Sequence, residues 1–295
     1  MHTEQHERTI AVLGSGTMGQ GIAQIAATSG FVTRVFDAEA QRAEQAVLQV
    51  GAQLEKLVAK GKLTADAKSA SLARLAASSS LADACRGADL VIEAVPESME
   101  LKLAVFREAM AAAKPDALLA SNTSSLSLTE LGTRLGAPER TLGMHFFNPP
   151  PVMELLEIVR GLSTSEASLE VALGYARALG KTPIVVNDSP GFATSRLGVI
   201  LGAEAIRMLE TGVASASAID QAMELGYRHP MGPLKLTDLV GLDVRLAILD
   251  HLTKEVGSQF RAPTLLRTMV RAGKLGKKTG EGFYQWKDGV AHAKK

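Results

Sequence analysis

The sequence predicts an α/β protein with a Rossmann-type doubly wound sheet, followed by a smaller all-α C-terminal domain. Apolar strand-like runs alternate with amphipathic helical stretches from the first strand to about Asn187, a pattern typical of a parallel sheet covered by helices. After Asp188 the strand patterns stop, and long runs with a 3.6-residue period follow. We therefore expect two domains, residues 1–187 and 188–295, with a hinge at Pro190 and Gly191.

The predicted strands are short continuous apolar runs, as expected where both faces of a parallel sheet are covered. They span residues 10–13, 31–36, 88–95, 117–120, 142–147, 155–159 and 183–186. The helical period predicts helices over residues 17–29, 38–60, 99–113 and 165–179, then 192–210, 216–225 and 236–256. The residues after Trp286 are expected to form a frayed polar tail.

The turn that leaves the first strand carries a dinucleotide-binding fingerprint. Gly14 makes the tight turn, Gly16 lets the backbone approach a pyrophosphate, and Gly19 lets the helix lie close to the strand. The helix start offers backbone N–H groups and a positive dipole end to the phosphates. The sequence therefore predicts a cofactor site formed by the whole turn, Gly14, Ser15, Gly16, Thr17, Met18 and Gly19.

An acidic residue at the end of the second strand specifies which dinucleotide is bound. Asp37 stands at about the 20-residue spacing that the fingerprint expects, where its carboxylate accepts hydrogen bonds from the adenosine ribose hydroxyls. A 2′-phosphate there would face like charge, at about 4 kcal/mol per unit-charge pair 4 Å apart in an effective dielectric near 20. The sequence therefore favours NAD over NADP.

Composition and charge exclude several classes of partner. The 32 basic and 31 acidic residues nearly cancel, so we expect no nucleic acid partner. The single cysteine, Cys85, rules out an intramolecular disulfide framework and is expected to be a small helix-face residue rather than a nucleophile. Residues 1–8 form a short polar segment without the apolar core of a signal peptide, and no run of about 18 apolar residues follows. We expect a cytoplasmic protein with no membrane partner and no metal.

Residue chemistry alone leaves several polar side chains open to two interpretations. A histidine beside two phenylalanines, such as His145, is more often a buried structural residue than a base. Glu157 lies in an apolar run and would need a partner if it were buried, but it would need none on an edge strand facing water. The segment 122–125 follows a strand and is also a good turn or helix N-cap.

Five further motifs resemble those of the short-chain L-3-hydroxyacyl-CoA dehydrogenase family, which includes bacterial 3-hydroxybutyryl-CoA dehydrogenases. The resemblance runs from about Arg8 to Trp286 and is specific, because the motifs occur together and in order. It implies reversible hydride transfer between C3 of a 3-hydroxyacyl-CoA and NAD, and a homodimer. The motifs are SNTSS at 121–125, HFFNP at 145–149, SPGF at 189–192, MGP at 231–233 and GKKTGEGFY at 276–284.

The resemblance assigns the catalytic roles. His145 matches the family's catalytic base, and imidazole suits the task because it titrates near neutral pH. Glu157 matches the glutamate that orients the imidazole and stabilises its charged form. Ser124 and Asn148 match positions that hydrogen-bond the substrate oxygen and the nicotinamide end of the cofactor.

Further charged residues match less specific contacts. Glu97, Lys102 and Lys278 match cofactor contacts, although such residues could equally lie on solvated faces. Coenzyme A carries phosphate charge and needs basic residues at the rim of its site. Lys60 matches the family's CoA-contacting lysine and Lys56 lies one turn before it, although lysines at a helix end are often only a solvated terminus favoured by the dipole.

One position departs from the family pattern. The helix after Pro190 and Gly191 carries Ser195 where much of the family has a substrate-contacting asparagine. Serine keeps a donor and an acceptor and could reach the acyl carbonyl directly or through a water. The role of Ser195 and the preferred acyl group therefore stay open.

The sequence supports one reaction over two alternatives. The expected activity is NAD-dependent oxidation of a short-chain L-3-hydroxyacyl-CoA such as 3-hydroxybutyryl-CoA, with the helical domain closing over the sheet and forming the dimer. A related dehydrogenase of a free hydroxy acid, such as a gulonate-like substrate, would lack the need for Lys60. A non-catalytic NAD-binding scaffold would have no use for His145 and Glu157 together.

Overall fold

The structure is a computed structural model that describes residues 8–294. The polar N-terminal segment discussed above lies, apart from Arg8, outside the described residues. The chain divides into two compact units between Ser189 and Pro190, two residues beyond the boundary that the change of period predicts. We call them the sheet unit and the helical unit and describe each by itself.

From Arg8 onward the sheet unit is built on eight strands in the order β3-β2-β1-β4-β5-β6-β7-β8, with the crossover at β1 and β4 that marks a doubly wound sheet. The strands run close to the predicted positions, and the sequence analysis missed the short β3. Their bounds are β1 Thr9–Leu13, β2 Val32–Phe36, β3 Leu75–Ala77, β4 Leu90–Glu93, β5 Leu118–Ser121, β6 Thr141–Phe146, β7 Leu155–Arg160 and β8 Thr182–Asn187.

The sheet is not parallel throughout, which corrects the predicted all-parallel arrangement. Strand β7 runs antiparallel to β6, and β8 is parallel to β7. The reason is the connection: residues 147–154 contain no helix, and a parallel neighbour needs a crossover of a dozen or more residues. The antiparallel pairing places residue 145 directly opposite residue 157.

Seven α-helices accompany the sheet within the part of this unit that the structure describes, and the sequence analysis missed three of them, α3, α4 and α6. Most start at a Ser or Thr whose side chain accepts from the first turn, for example Ser98 before α5 and Ser127 before α6. Their apolar faces cover a core that includes Ile10, Ile92 and Phe146. The helices are α1 Thr17–Thr28, α2 Ala40–Ala59, α3 Ala65–Ala73, α4 Leu81–Cys85, α5 Met99–Ala112, α6 Leu128–Leu135 and α7 Glu166–Ala178.

The helical unit has its own apolar core, with Val199, Leu242 and Phe283 among its buried members. The single helix predicted over residues 236–256 is wrong: two helices meet at Gly241, whose φ of 107° no α-helix contains. The sequence analysis also missed the last helix. The helices are α8 Thr194–Glu210, α9 Ala216–Gly226, α10 Pro233–Val240, α11 Leu242–Glu255 and α12 Thr264–Arg271.

The predicted frayed tail is also wrong, and the second unit is therefore not wholly helical. Strands β9 Gln285–Lys287 and β10 Val290–His292 form an antiparallel hairpin. Asp288 and Gly289, both at positive φ, make the two-residue turn between them. An Asp-Gly pair between short strands is a strong hairpin signal, and the sequence analysis overlooked it.

Two predicted absences can be compared with the described residues. None of the helices within residues 8–294 is long and apolar enough to cross a membrane. Across the same residues, no group of three or more metal-ligating side chains is close enough to hold a metal ion. The cytoplasmic location stays a prediction.

The single cysteine, Cys85, is buried on α4. Its burial raises the pKa of the thiol to about 12, which does not favour a nucleophilic thiolate.

Candidate active site

The turn between β1 and α1 has the shape of a phosphate-binding turn. Gly14 has a φ of 99°, and a Cβ there would lie 2.6 Å from the carbonyl oxygen of Ala94. A Cβ on Gly19 would lie 1.8 Å from the carbonyl oxygen of Gly14, so the close helix–strand contact requires glycine. By contrast, a Cβ on Gly16 would meet nothing within 4 Å.

The open space at Gly16 is the test of fit for a dinucleotide. Packing of the protein does not require glycine at this position, whereas close approach of a pyrophosphate to the backbone does. Gly16 is also the N-cap of α1 and makes no side-chain cap, so the first N–H groups of the helix are offered to a ligand. The residues present therefore fit the group, with Ser15, Thr17 and Met18 completing the turn.

Asp37 is held against this turn. Its Oδ2 accepts hydrogen bonds from the backbone N–H of Ser15 at 2.9 Å and from the Ser15 hydroxyl at 2.7 Å. Burial raises the pKa of the Asp37 carboxyl, but the hydrogen bonds from Ser15 and Glu39 and the charge of Arg42 outweigh it, and the net pKa is lowered. Asp37 is therefore an anion at neutral pH, as recognition of ribose hydroxyls requires.

His145 and Glu157 form a buried pair across two strands. They are direct register partners of β6 and β7, and His145 Nδ1 lies 2.7 Å from Glu157 Oε2. Glu157 is fully buried and His145 is 7% exposed. Strand β7 lies between β6 and β8, so the interpretation of Glu157 as an edge-strand carboxylate facing water is wrong, and Glu154 is the exposed glutamate of this segment.

The pair has the geometry of a base and its orienting group. A carboxylate only accepts hydrogen bonds, so the Nδ1 of His145 must carry the proton that faces Glu157. That tautomer leaves Nε2 as the basic nitrogen of the ring. The ring of Phe147 packs against the imidazole at a centroid distance of 4.7 Å and helps to hold its plane.

A second buried pair, which the sequence analysis did not foresee, lies at the end of β4. Glu93 is fully buried, and Lys102 Nζ on α5 lies 2.8 and 3.0 Å from its two carboxylate oxygens. Glu93 also accepts from the Ser121 hydroxyl at 2.6 Å and from the backbone N–H of Val95 at 2.7 Å. A glutamate that ends an apolar strand, with a lysine nine residues later, is the signal that could have revealed the pair.

The same lysine connects the pair to the segment 122–125, which carries the predicted site residue Ser124. Lys102 Nζ also lies 3.2 Å from Glu97 Oε2. Glu97 Oε1 in turn accepts from the Thr123 hydroxyl at 2.5 Å, from the Ser125 hydroxyl at 2.9 Å and from the backbone N–H of Ser124 at 3.1 Å. The structure thus brings Glu97, Lys102 and Ser124 together, and it overturns the interpretation of Lys102 as a residue on a solvated face.

The pKa values of the two glutamates in this network are shifted in opposite directions. Burial raises the pKa of Glu97, but the ammonium of Lys102 and the hydroxyls of Thr123 and Ser125 outweigh it and lower the net pKa. For Glu93 the effect of burial dominates, and the net pKa is raised despite the ammonium of Lys102. The Nζ of Lys102 thus lies between two carboxyl groups whose pKa values are shifted in opposite directions, and only 1% of the surface of Lys102 is exposed.

The remaining predicted residues of the sheet unit are more exposed. Ser124 and Asn148 follow β5 and β6, at the edge where the strands end, and both are exposed. Lys56 lies in the last turn of α2 and Lys60 caps that helix, and both are exposed. The structure does not bring these lysines into a hydrogen bond with another site residue among the residues it describes.

Two predicted site residues belong to the helical unit. Ser195 lies in the first turn of α8 and is half-buried. Lys278 lies in a short 3₁₀ turn, Lys277–Thr279, with its Nζ 2.6 Å from the carboxylate of Asp243. The contacts of both residues with substrate or cofactor stay predictions.

Comparison with known sequences identifies the family. The sequence profile for the NAD-binding domain of 3-hydroxyacyl-CoA dehydrogenase matches residues 9–189, and the profile for the C-terminal domain of 3-hydroxyacyl-CoA dehydrogenase matches residues 191–286. The chain belongs to the 3-hydroxyacyl-CoA dehydrogenase family. The resemblance inferred from the five sequence motifs is thereby confirmed. The protein is an NAD-dependent oxidoreductase that oxidises 3-hydroxyacyl-CoA.

Individual relatives agree over almost the whole chain. The dehydrogenase is 43% identical to a probable 3-hydroxybutyryl-CoA dehydrogenase of Bacillus subtilis, covering 95% of this chain and 98% of that protein. It is 41% identical to the 3-hydroxybutyryl-CoA dehydrogenase of Bradyrhizobium diazoefficiens, covering 95% and 96%. The crystal structure of (S)-3-hydroxybutyryl-CoA dehydrogenase from Ralstonia eutropha matches with a TM-score of 0.91 and 40% identity, covering 95% of this chain and 99% of that one.

Proposed function

We propose that this dehydrogenase reversibly oxidises short-chain L-3-hydroxyacyl-CoA thioesters, such as 3-hydroxybutyryl-CoA, with His145 as the general base and Glu157 as its orienting partner. The observation that carries the proposal is the buried cross-strand pair at 2.7 Å, near the carboxyl end of β6. In α/β sheets this edge is where ligands bind. The names of the relatives support the short acyl chain.

The tautomer of the imidazole determines which ring nitrogen accepts the substrate proton. His145 Nε2 takes the proton of the substrate C3 hydroxyl, while Nδ1 keeps its hydrogen bond to Glu157. The anionic carboxylate stabilises the imidazolium that forms, which lowers the cost of placing a cation in a site only 7% exposed. NAD, when bound, supplies the acceptor for the hydride that leaves C3.

Other residues hold the reacting groups. We assign Ser124 and Asn148 to hydrogen bonds with the substrate oxygen and the nicotinamide end of the cofactor, and Ser195 to the acyl carbonyl. In support, the backbone of Ser124 is held by Glu97 at 3.1 Å, so its hydroxyl stands on a fixed loop. We assign Lys60 and Lys56 to the phosphates of coenzyme A, because both are exposed cations at one helix end. Lys278 is assigned a further cofactor contact.

The predicted homodimer and the predicted closure of the helical unit belong to the same proposal. Exposed apolar side chains of the helical unit support an interface there, since monomers rarely expose large apolar patches. They include Leu197, Val213, Leu225 and Tyr227, which are 64–81% exposed. Crystals of the free enzyme and of a ternary complex would show whether the two units change their relative angle.

The test of the proposed function is an assay of NADH oxidation with acetoacetyl-CoA, run beside NADPH and beside free acetoacetate. We expect rapid turnover only with NADH and the thioester, and a loss of about 10²- to 10⁴-fold in kcat for His145→Ala, because general acid–base catalysis contributes that much. The NADH dissociation constant should stay unchanged. His292→Ala, which replaces an exposed histidine of β10, is the matched control.

Three results would contradict the proposal. Equal rates with free acetoacetate would favour a dehydrogenase of free acids. NADH binding without turnover of any substrate would favour a non-catalytic scaffold. Full activity of His145→Ala would leave the reaction in place but remove the assigned base.

A further inference from the structure

The strand that carries His145 extends beyond one of its neighbours. The pairing of β5 with β6 ends at Ser121 and Gly143, whereas the pairing of β6 with β7 continues to Phe146 and Leu156. Within the described register, the last three residues of β6 therefore have a strand beside them on one side only. His145 lies in the middle of this overhang.

Beyond the end of β5, the side chain of Asn122 supplies the hydrogen-bond acceptor that a paired strand would supply to β6. Asn122 is the first residue after β5, and its Oδ1 accepts a hydrogen bond from the backbone N–H of Phe146 at 2.9 Å. Since a backbone N–H can only donate, the atom that faces it must be the amide oxygen rather than the amide nitrogen. The backbone N–H of Asn122 itself donates to the carbonyl of Glu93 at 2.8 Å, so the residue is anchored to β4.

We propose that Asn122 is a positioning residue for catalysis: its side-chain oxygen fixes the side of the β6 overhang that faces away from β7 and thereby holds the imidazole of His145 in line with Glu157 and the substrate. The proposal rests on the proposed role of His145 as the base. The peptide that Asn122 holds is the one that links His145 to Phe146, so a shift of that peptide moves the imidazole directly.

The expected effect is on the chemical step rather than on binding. A misplacement of about 1 Å in a catalytic group costs up to about 10²-fold in rate, while contacts elsewhere in the site persist. The cofactor turn at Gly14–Gly19 links β1 to α1 and has no hydrogen bond with the Asn122 side chain among the described residues, so loss of the Asn122 oxygen leaves the turn in place. The sequence analysis included Asn122 in a turn and in the SNTSS motif but gave it no role, because the spacing of β5 and β6 gives no sign of where their pairing ends.

The experiment compares Asn122→Ala with Asn122→Asp. The alanine removes the acceptor, whereas the aspartate keeps an oxygen at the same position and removes only the amide N–H groups. We expect Asn122→Ala to lower kcat for acetoacetyl-CoA about 10- to 10²-fold, with the NADH dissociation constant unchanged, and Asn122→Asp to recover most of the loss. Asn187→Ala, at the exposed end of β8, is the matched control.

A pH profile adds a readout that a merely structural role would not move. A carboxylate at position 122 would stand at the peptide N–H that follows His145. An added negative charge favours the charged form of an imidazole, so the limb of kcat/KM that reports the base should move to higher pH in Asn122→Asp. If Asn122→Ala does not fold, as judged by its thermal midpoint, Asn122→Ser takes its place, because the serine side chain is too short for its oxygen to reach the N–H of Phe146.

Each outcome separates this inference from the proposed function. Equal losses in the alanine and aspartate variants would show that the amide N–H groups of Asn122 act directly on substrate or cofactor, which overturns the positioning role. Wild-type kcat in Asn122→Ala with an inactive His145→Ala would overturn the inference and leave the proposed function intact. An active His145→Ala would overturn the proposed function first.

Discussion

The sheet unit and the helical unit both bury carboxylates, but they give them different partners. In the sheet unit, Glu93 and Glu157 face the side chains of Lys102 and His145. In the helical unit, Asp238 accepts from the backbone N–H groups of Phe283 and Tyr284, at 2.8 and 2.9 Å, and from Trp286 Nε1 at 2.8 Å.

Asp220, the second buried aspartate among the described residues of the helical unit, is likewise held by backbone N–H groups. It accepts from the backbone N–H groups of Leu234 and Lys235, at 2.8 and 2.9 Å, and from the Tyr284 hydroxyl at 2.7 Å. Backbone N–H groups do not change protonation state at any ordinary pH, whereas imidazole does. The difference teaches that these buried acids of the helical unit hold chain segments together, whereas an acid beside an imidazole can serve a proton transfer.

Of the three effects that test this comparison, the largest on the rate of catalysis is at Glu157. In Glu157→Gln the amide can donate to Nδ1 of His145, which moves the ring proton to Nε2 and removes the basic nitrogen from the substrate side. We expect kcat to fall about 10²-fold, because most of the benefit of general base catalysis is lost, while NADH still binds. Steady-state kinetics with acetoacetyl-CoA and NADH titration by fluorescence measure both quantities.

The matched control for this variant is Glu154→Gln. Glu154 lies just before the same strand but is exposed, so its replacement should leave kcat unchanged. A loss as large as that of Glu157→Gln would show that charge in the segment, rather than the contact with the imidazole, carries the effect.

The second effect is at Lys102 and concerns stability rather than rate. In Lys102→Met the buried carboxyl group of Glu93 loses its ammonium partner, and breaking a buried ion pair from one side costs about 3 to 5 kcal/mol. We expect the free energy of unfolding in urea to fall by about that amount. The double variant with Glu93→Gln should recover part of it, because a neutral amide does not need the cation.

Lys114→Met is the control for an ion pair at the surface. Lys114 pairs with Asp89 at 2.5 Å, but its side chain is 46% exposed, so the loss should stay below about 1 kcal/mol. If Lys102→Met weakens NADH binding while the double variant regains stability and not binding, Lys102 has the direct cofactor contact that the resemblance implies.

The site residues of the sheet unit also show how much of a site a single sequence can reveal. Gly14, Gly19 and Asp37 are predictable because each performs a local task within one βα turn. His145 and Glu157 were assigned through the motifs, but their opposition depends on the antiparallel pairing of β6 and β7, which follows from the short loop between those strands.

Other features escaped prediction for identifiable reasons. Glu93 sits in a run that indicates a buried strand, and the burial of a charge becomes understandable only when Lys102 arrives from α5. Gly241 lies inside the single helix predicted over residues 236–256, and the helical period gives no sign of the positive φ that ends α10 there. Asp288 and Gly289 were overlooked, since the strands that they join are only three residues long and show no clear alternation.

The smallest of the three effects is at Asp238, where the residue holds a segment and performs no chemistry. In Asp238→Asn only one oxygen remains for three donors, and leaving buried donors unsatisfied costs about 1 to 3 kcal/mol. We expect the free energy of unfolding to fall by that amount, with kcat unchanged at temperatures below the transition. Trp286 is the chain's single tryptophan, so its fluorescence reports directly on the lost contact.

The pH dependence sharpens this last prediction. Burial raises the pKa of Asp238, although the hydrogen bonds from Trp286, Phe283 and Tyr284 oppose the shift. A folded pKa above the unfolded value means that the contribution of the group to stability is complete below the unfolded value of 3.8 and is lost as the pH rises through the folded pKa. Asparagine does not titrate, so the stability difference between wild type and Asp238→Asn should be larger near pH 4 than near pH 7.

The control for Asp238→Asn is Asp250→Asn, which breaks only an exposed pair with Arg267. We expect this variant to show neither the loss of stability nor the change in tryptophan fluorescence. A matching loss in Asp250→Asn would remove the distinction between buried and exposed carboxylates in this unit.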